Sequence, residues 1–218
     1  MQSTLSKATL GRLPMYLQFI RGTDTEKVSA AQIARGLGLG EILVRKDLAS
    51  VCAAGLPRVG YPVTVLRRDM EKALKMDGPI SAVIVGAGKL GTALMEYDGF
   101  LDYGMKIAAA FDLSATAEPF FQGRVPVYSM EQLPAFCASR HVHAGILTVP
   151  AASAQNAADA MTAAGLTAIL NFAPVPIRVP KNVTVHQENI ALSLAYLHAM
   201  AGETKKQEKE KEYGSQRI

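Results

Sequence analysis

Two hydrophobic periodicities share the 218-residue chain, and together they predict an α/β protein in two parts. Up to about residue 76 the apolar residues recur at helical spacing. Beyond Pro79, short β-prone runs alternate with helical stretches, the pattern of a parallel sheet crossed by helices. A third observation lies at the join, where Asp77-Gly78-Pro79 stops a helix and opens a turn. The expected division is residues 1–78, residues 79–188, a closing helix at 189–202 and a charged tail at 203–218.

Composition narrows the class. With 49% hydrophobic and 19% charged residues the chain is not wholesale disordered. The longest apolar runs, Ala82–Val85 and Ile107–Phe111, fall far short of the ~20 residues of a spanning helix. The first residues, MQSTLSKATLGR, lack an apolar signal core. No membrane partner and a cytoplasmic location are therefore expected. Cys52 and Cys137 lie far apart and form no CxxC, against a disulfide framework or a zinc site. Charge is uneven. Residues 1–78 hold twelve Lys and Arg against seven Asp and Glu, a balance of +5, while residues 79–202 balance at −2. A basic first part beside a mildly acidic remainder fits a polyanion-binding module, although charge alone equally fits a solvated surface.

In the first part, Leu10, Leu13, Leu17 and Ile20 lie at helical spacing, with Pro14 expected near the helix start. Ser29-Ala-Ala-Gln32 fits a capping box, and Ile33 and Leu37 continue the apolar stripe. A glycine-rich turn, Gly36-Leu-Gly-Leu-Gly40, leads to a second helix, Glu41–Ala49, in which Ile42 and Leu48 are expected to face inward. Helix, glycine turn and helix make a helix-turn-helix, whose second helix carries Arg45 and Lys46 at its surface. Such a helix fits the major groove of double-stranded DNA, where Arg reaches guanine edges and Lys the phosphates. Arg58-Val-Gly-Tyr61 is a basic, β-prone turn suited to the wing of a winged helix. Thr64 is placed to cap a further helix through Leu74, with Leu66, Met70 and Leu74 in register.

The second part carries the strongest local signal. Ser81–Met95 reads as a buried strand, then Gly86-Ala-Gly88-Lys-Leu-Gly91, then a helix, the context required of a dinucleotide-binding motif. Gly86 allows the tight turn, Gly88 lets backbone approach a pyrophosphate, and Gly91 lets the helix pack on the strand. The helix start offers free N–H groups to the phosphates. A second strand, Lys106–Phe111, ends at Asp112, where a carboxylate can accept both ribose hydroxyls and repel a 2′-phosphate. That favours NAD(H) over its phosphorylated relative; a glycine turn without a ligand is the plain alternative. Strand-helix units follow at Val125–Val127 with Met130–Ala138, at Ala144–Val149 with Ser153–Ala164, and a strand at Ala168–Phe172. Thr148-Val149-Pro150 and Asn171-Phe-Ala173-Pro174 end two of these strands, and they either line a nicotinamide site or are ordinary strand exits. The expected architecture is thus a winged helix-turn-helix, a Rossmann-like parallel-sheet domain and a C-terminal dimer helix.

That last helix, Ile190–Met200, is apolar on most of its surface. It is a candidate dimer contact, with packing on its own sheet as the alternative. No catalytic or metal-ligating set is assigned. The four histidines form no HxxxH set with a carboxylate, and no GxSxG elbow is present. The nucleotide fold consumes the second part, leaving no substrate domain, which points to a coenzyme that is sensed rather than turned over.

Arg12-Leu-Pro14, Val44-Arg-Lys-Asp-Leu48, Val59-Gly-Tyr61, Val85–Gly91, Tyr97-Asp-Gly-Phe100, Ala109-Ala-Phe-Asp112, Leu147-Thr-Val-Pro-Ala151 and Ile169–Pro174 together resemble the Rex family of redox-sensing transcriptional repressors. The resemblance spans nearly all the chain except the tail. It implies a homodimer with a winged helix, a Rossmann domain and a last helix swapped into the partner, bound to palindromic operators and released when NADH replaces NAD⁺. It implies Arg45 and Lys46 on the recognition helix and Arg58 on the wing, with Arg12, Ser29 and Tyr61 also on the DNA side. Gly86, Gly88, Lys89, Leu90 and Gly91 would hold the pyrophosphate, Asp112 the adenosine ribose. Tyr97, Pro150 and Ala173 would lie near the nicotinamide, with Thr148, Val149 and Asn171 beside them.

Three departures stand out. Gln18 aligns with an arginine of the family's redox switch and Asn189 with an aspartate, so two charges become neutral amides. The wing, Gly55-Leu-Pro-Arg-Val-Gly-Tyr61, has fewer bases than the family's, which lowers affinity and flattens the salt dependence. The segment Leu48–Gly55 also lacks the family's usual aromatics. A DNA-binding dimer with a weakened or lost nucleotide response, or a nicotinamide oxidoreductase or coenzyme A-binding subunit, are the alternative readings.

Overall fold

The computed structural model describes residues 5–76, 78–116 and 118–201. The chain separates into two compact units, with the division between Ile80 and Ser81. In the first, α1 (Lys7–Arg21), α2 (Ala30–Leu37), α3 (Glu41–Val51) and α4 (Val63–Ala73) surround a core that includes Leu13, Tyr16, Leu17, Ile20, Ile33, Val44, Leu48, Leu66 and Met70. Two short strands, β1 (Lys27–Val28) and β2 (Tyr61–Pro62), pair antiparallel, and a bridge from Leu56 to Gly60 narrows the turn that precedes β2. The capping box at Ser29 and Gln32 forms in full, and Gly38 ends α2 in the left-handed conformation.

Three expectations for this unit are corrected. First, α1 begins at Lys7, capped by Ser6, rather than near Pro14. The exposed Pro14 sits inside the helix, tolerated because Leu13, Tyr16, Leu17 and Ile20 bury a continuous stripe around it. Second, Ile42 is 69% exposed; the inward stripe of α3 is Val44, Asp47 and Leu48, one helical step further on. Third, Thr64 does not cap α4, which starts one residue earlier behind Pro62, with no side-chain cap bond. Here the fixed φ of Pro62 and the pairing of β2 set the helix start.

The second unit is built on a seven-stranded sheet in the order β5-β6-β4-β3-β7-β8-β9. The strands are β3 (Ile80–Val85), β4 (Met105–Asp112), β5 (Phe120–Gln122), β6 (Val125–Ser129), β7 (Ala144–Leu147), β8 (Ala168–Asn171) and β9 (Thr184–Gln187). Six of them follow the doubly wound order of a dinucleotide-binding sheet, and β5 is an antiparallel strand at one edge. The helices are α5 (Lys89–Met95), α6 (Leu133–Arg140) and α7 (Ala154–Ala163). Alternation along β3 fills both faces. Val83 and Val85 join Phe111, Leu133, Cys137, Leu147, Ala158 and Met161 on one side; Ala82 and Ile84 join Met95, Ile107, Ala110 and Val127 on the other.

A last helix, α8 (residues 190–201), follows Asn189, whose side-chain oxygen accepts from the Leu192 N–H. Its apolar side chains, Ile190, Leu192, Leu194, Tyr196, Leu197 and Met200, are 44–67% exposed. Packing against its own sheet is thereby excluded. The tail from 203 lies outside the described residues. No described helix is long and apolar enough to cross a membrane.

Candidate functional site

The glycine motif sits where the sheet order reverses, between β3 and β7. Gly86 leaves β3 with φ +107°, its N–H donating to Phe111 O, and the Thr148 hydroxyl donates to Gly86 O at 2.7 Å. Gly88 caps α5, and a Cβ there would meet nothing within 4 Å. At Gly91 a Cβ would lie 1.9 Å from Gly86 O, so the helix approaches the turn as only glycine allows. Lys89 and Leu90, the first residues of α5, are exposed.

Asp112 ends β4 facing this turn. Its carboxylate accepts from the Ala87 N–H at 2.7 Å, the Ser114 N–H at 2.8 Å and the Ser114 hydroxyl at 2.6 Å. Burial raises its pKa, but these donors outweigh burial and hold the carboxyl below the usual range. Beside it opens a cleft of about 370 Å³, lined by Leu113, Ala115 and Thr116 beyond β4 and by Ser129 to Gln132 beyond β6. The open space at Gly88, the free helix start and an ionised strand-end carboxylate fit the pyrophosphate and ribose of a dinucleotide.

The remaining expected nucleotide residues divide. Thr148, Val149 and Pro150 follow β7, and a Cβ on Gly86 would touch both Thr148 and Val149, so this loop borders the motif directly. Asn171 is fully buried at the end of β8. Its amide donates to Val175 O and Gln187 Oε1, and its carbonyl oxygen accepts from the buried Ala173 N–H. Gln187 of β9 closes the knot by donating to Ala173 O. Asn171 thus shapes the loop through its own bonds. Tyr97 is 59% exposed, its ring edge-on to Phe100.

In the first unit, Arg45 and Lys46 lie on the exposed face of α3, with Arg45 paired to Glu41. Arg58 is exposed in the turn before β2 and adopts φ +63°. Three expected contact residues have internal partners. Ser29 caps α2. Tyr61 is buried, its ring against Gly55. Arg12 donates from Nε and from a terminal nitrogen to Asp47, at 2.7 and 2.8 Å. Asp47 also accepts from the Tyr16 hydroxyl at 2.8 Å and the Thr9 hydroxyl at 3.0 Å. Burial raises the Asp47 pKa, but Arg12, Tyr16 and Thr9 together bring it below normal. Sequence reading missed this buried acceptor; its place in the inward stripe of α3 was the available signal.

Two family models match: "Putative DNA-binding protein N-terminus" over residues 4–49 and "CoA binding domain" over residues 77–175. Redox-sensing transcriptional repressor Rex of Treponema denticola is 38% identical over 202 residues, covering 91% of this chain and 96% of that protein. The Rex of Pelotomaculum thermopropionicum is 40% identical over 194 residues, covering 88% and 91%. Among solved structures, RSP, a Rex-family repressor, is similar in complex with β-NAD⁺ and operator DNA, at TM-score 0.82, 28% identity and 95% and 97% coverage. RSP with β-NADH gives TM-score 0.81, with 95% and 99% coverage. From its paired units, its glycine turn and these relatives, the chain belongs to the Rex family of redox-sensing transcriptional repressors.

Proposed function

We propose that this chain is a cytoplasmic, homodimeric repressor that binds a palindromic operator and loosens its hold when NADH replaces NAD⁺. It is a regulator, not an enzyme. The observation that carries the reading is the pairing of a dinucleotide turn, open at Gly88 and faced by ionised Asp112, with a helix-turn-helix that presents Arg45 and Lys46 to solvent. Adenosine would take the cleft beyond β4 and β6, its ribose hydroxyls donating to Asp112, and its pyrophosphate would take the start of α5. An ionised Asp112 disfavours coenzymes with a phosphate on that ribose, coenzyme A included, which argues for NAD(H) although the matched domain model carries the coenzyme A description. Arg45, Lys46 and Arg58 would contact DNA, while Arg12, Ser29 and Tyr61 would shape the surface that presents them. Residues 189–202 would form the dimer contact.

A DNA-binding dimer with a weak nucleotide response is the second reading. It is favoured by Asn189, a neutral helix cap where the family places a charge, and by Gln18, exposed on α1. Gel-shift titration with a palindromic duplex selected from a random pool tests the proposal. Binding is expected at nanomolar protein, reduced at least tenfold by Arg45→Ala. Failure to bind any duplex at low salt would remove both readings.

A further inference from the structure

The exposed face of α3 is not uniformly polar. Ile42 is 69% exposed and Leu43 40% exposed, side by side in the first turn. The inward stripe is already filled by Val44, Asp47 and Leu48. Arg45 and Lys46 follow Ile42 at i+3 and i+4, so they share its face, and Ala49 extends it one turn further. The helix thus presents an apolar tip followed by two cations. Its start is unobstructed, since the capping residue is Gly40 and a Cβ there would meet nothing within 4 Å. Single exposed apolar residues are ordinary. Two together, at the end of a recognition helix that meets base edges, match one chemical feature of duplex DNA. Among the base-pair edges in the major groove, the thymine C5-methyl is the apolar group. Neither Ile nor Leu can read a donor or an acceptor.

Resting on the DNA-binding reading above, we propose that Ile42 and Leu43 are specificity-determining residues that pack on thymine methyl groups in each operator half-site, while Arg45 and Lys46 supply the polar and phosphate contacts. Binding therefore depends on the methyl group itself, not only on the A·T pair.

Deoxyuridine keeps the pairing and every hydrogen-bonding group of thymidine and removes only that methyl. The duplex selected by the full chain from a random-sequence pool is resynthesised with each thymine of a half-site replaced singly by deoxyuridine, and affinities are read by fluorescence anisotropy. One or two positions per half-site are expected to weaken binding about three- to tenfold, the size expected for one buried methyl. That penalty is expected to vanish at one position in Ile42→Ala or in Leu43→Ala. Indifference to every deoxyuridine overturns the proposal, as does a penalty that survives in Ile42→Ala, Leu43→Ala and the double variant. Either result, on a duplex that still binds tightly unmodified, leaves the repressor reading standing. If no duplex is enriched, the repressor reading fails and this inference with it.

Discussion

Asp47 is the residue on which the geometry of the DNA-reading helix depends most directly. One buried carboxylate on α3 collects donors from Arg12, Tyr16 and Thr9, all on α1. Replacing it with Ala strands a half-buried guanidinium, and chemical denaturation is expected to show a loss on the order of 3 kcal/mol. Because its folded pKa is depressed, its contribution is present above the ordinary Asp value of about 3.9 and is lost as pH falls through the folded value. Acid titration of stability should show that loss in the parent chain and not in Asp47→Asn. Arg12, tied to the same carboxylate, is expected to act on DNA binding by position. Arg12→Ala should weaken operator binding while leaving the salt dependence within one unit of its slope, whereas a direct phosphate contact would flatten the slope by about 0.9. The glycines of the nucleotide turn separate two roles in the same way. Gly91→Ala forces a Cβ into Gly86 O and should cost about 1–3 kcal/mol of stability. Gly88→Ala fills open space, so it should leave the melting temperature near the parent's while lowering NADH affinity by calorimetry.

At the scale of elements, legibility followed how local the determinants are. The capping box at Ser29 and Gln32, the β3 run into Gly86 and the strand ending at Asp112 are each set by a few neighbouring residues, and they formed where the pattern put them. The start of α1 was hidden because Ser6 and Thr9 sit in a polar stretch, and Pro14 reads as a helix start until the buried stripe around it is known. Strands β5 and β9 lie at the sheet edges, three and four residues long, and neither alternates cleanly between apolar and polar. Among candidate site residues, the glycines and Asp112 were legible because their roles are backbone geometry and charge at a strand end. Arg12, Tyr61 and Asn171 were not, because their partners come from residues distant in sequence or from backbone groups of a folded loop. Helix α8 belongs to this scale too. Its leucines and Ile190 are exposed around the helix, far beyond what a lone surface helix carries. Leu194→Glu combined with Leu197→Glu should convert a dimer to a monomer in sedimentation velocity at micromolar protein. An unchanged sedimentation coefficient would remove α8 from the dimer contact.

For the whole molecule, the coenzyme can shift operator binding only by the difference in its affinity for the two states of the dimer. Coupling between sites is commonly about 5- to 150-fold and is reciprocal, so operator DNA must weaken NADH binding by the factor by which NADH weakens operator binding. Two neutral amides, Gln18 and Asn189, stand where the resemblance places charges, and a charge-assisted bond is roughly twice as strong as a neutral one. The coupling is therefore expected at the low end of that range. Fluorescence anisotropy of the selected operator, at one fixed salt concentration with saturating NAD⁺ and then saturating NADH, measures it directly. The account predicts an operator Kd about five- to tenfold weaker with NADH. Identical Kd values in the two coenzymes, with both coenzymes shown by calorimetry to be bound, would contradict it.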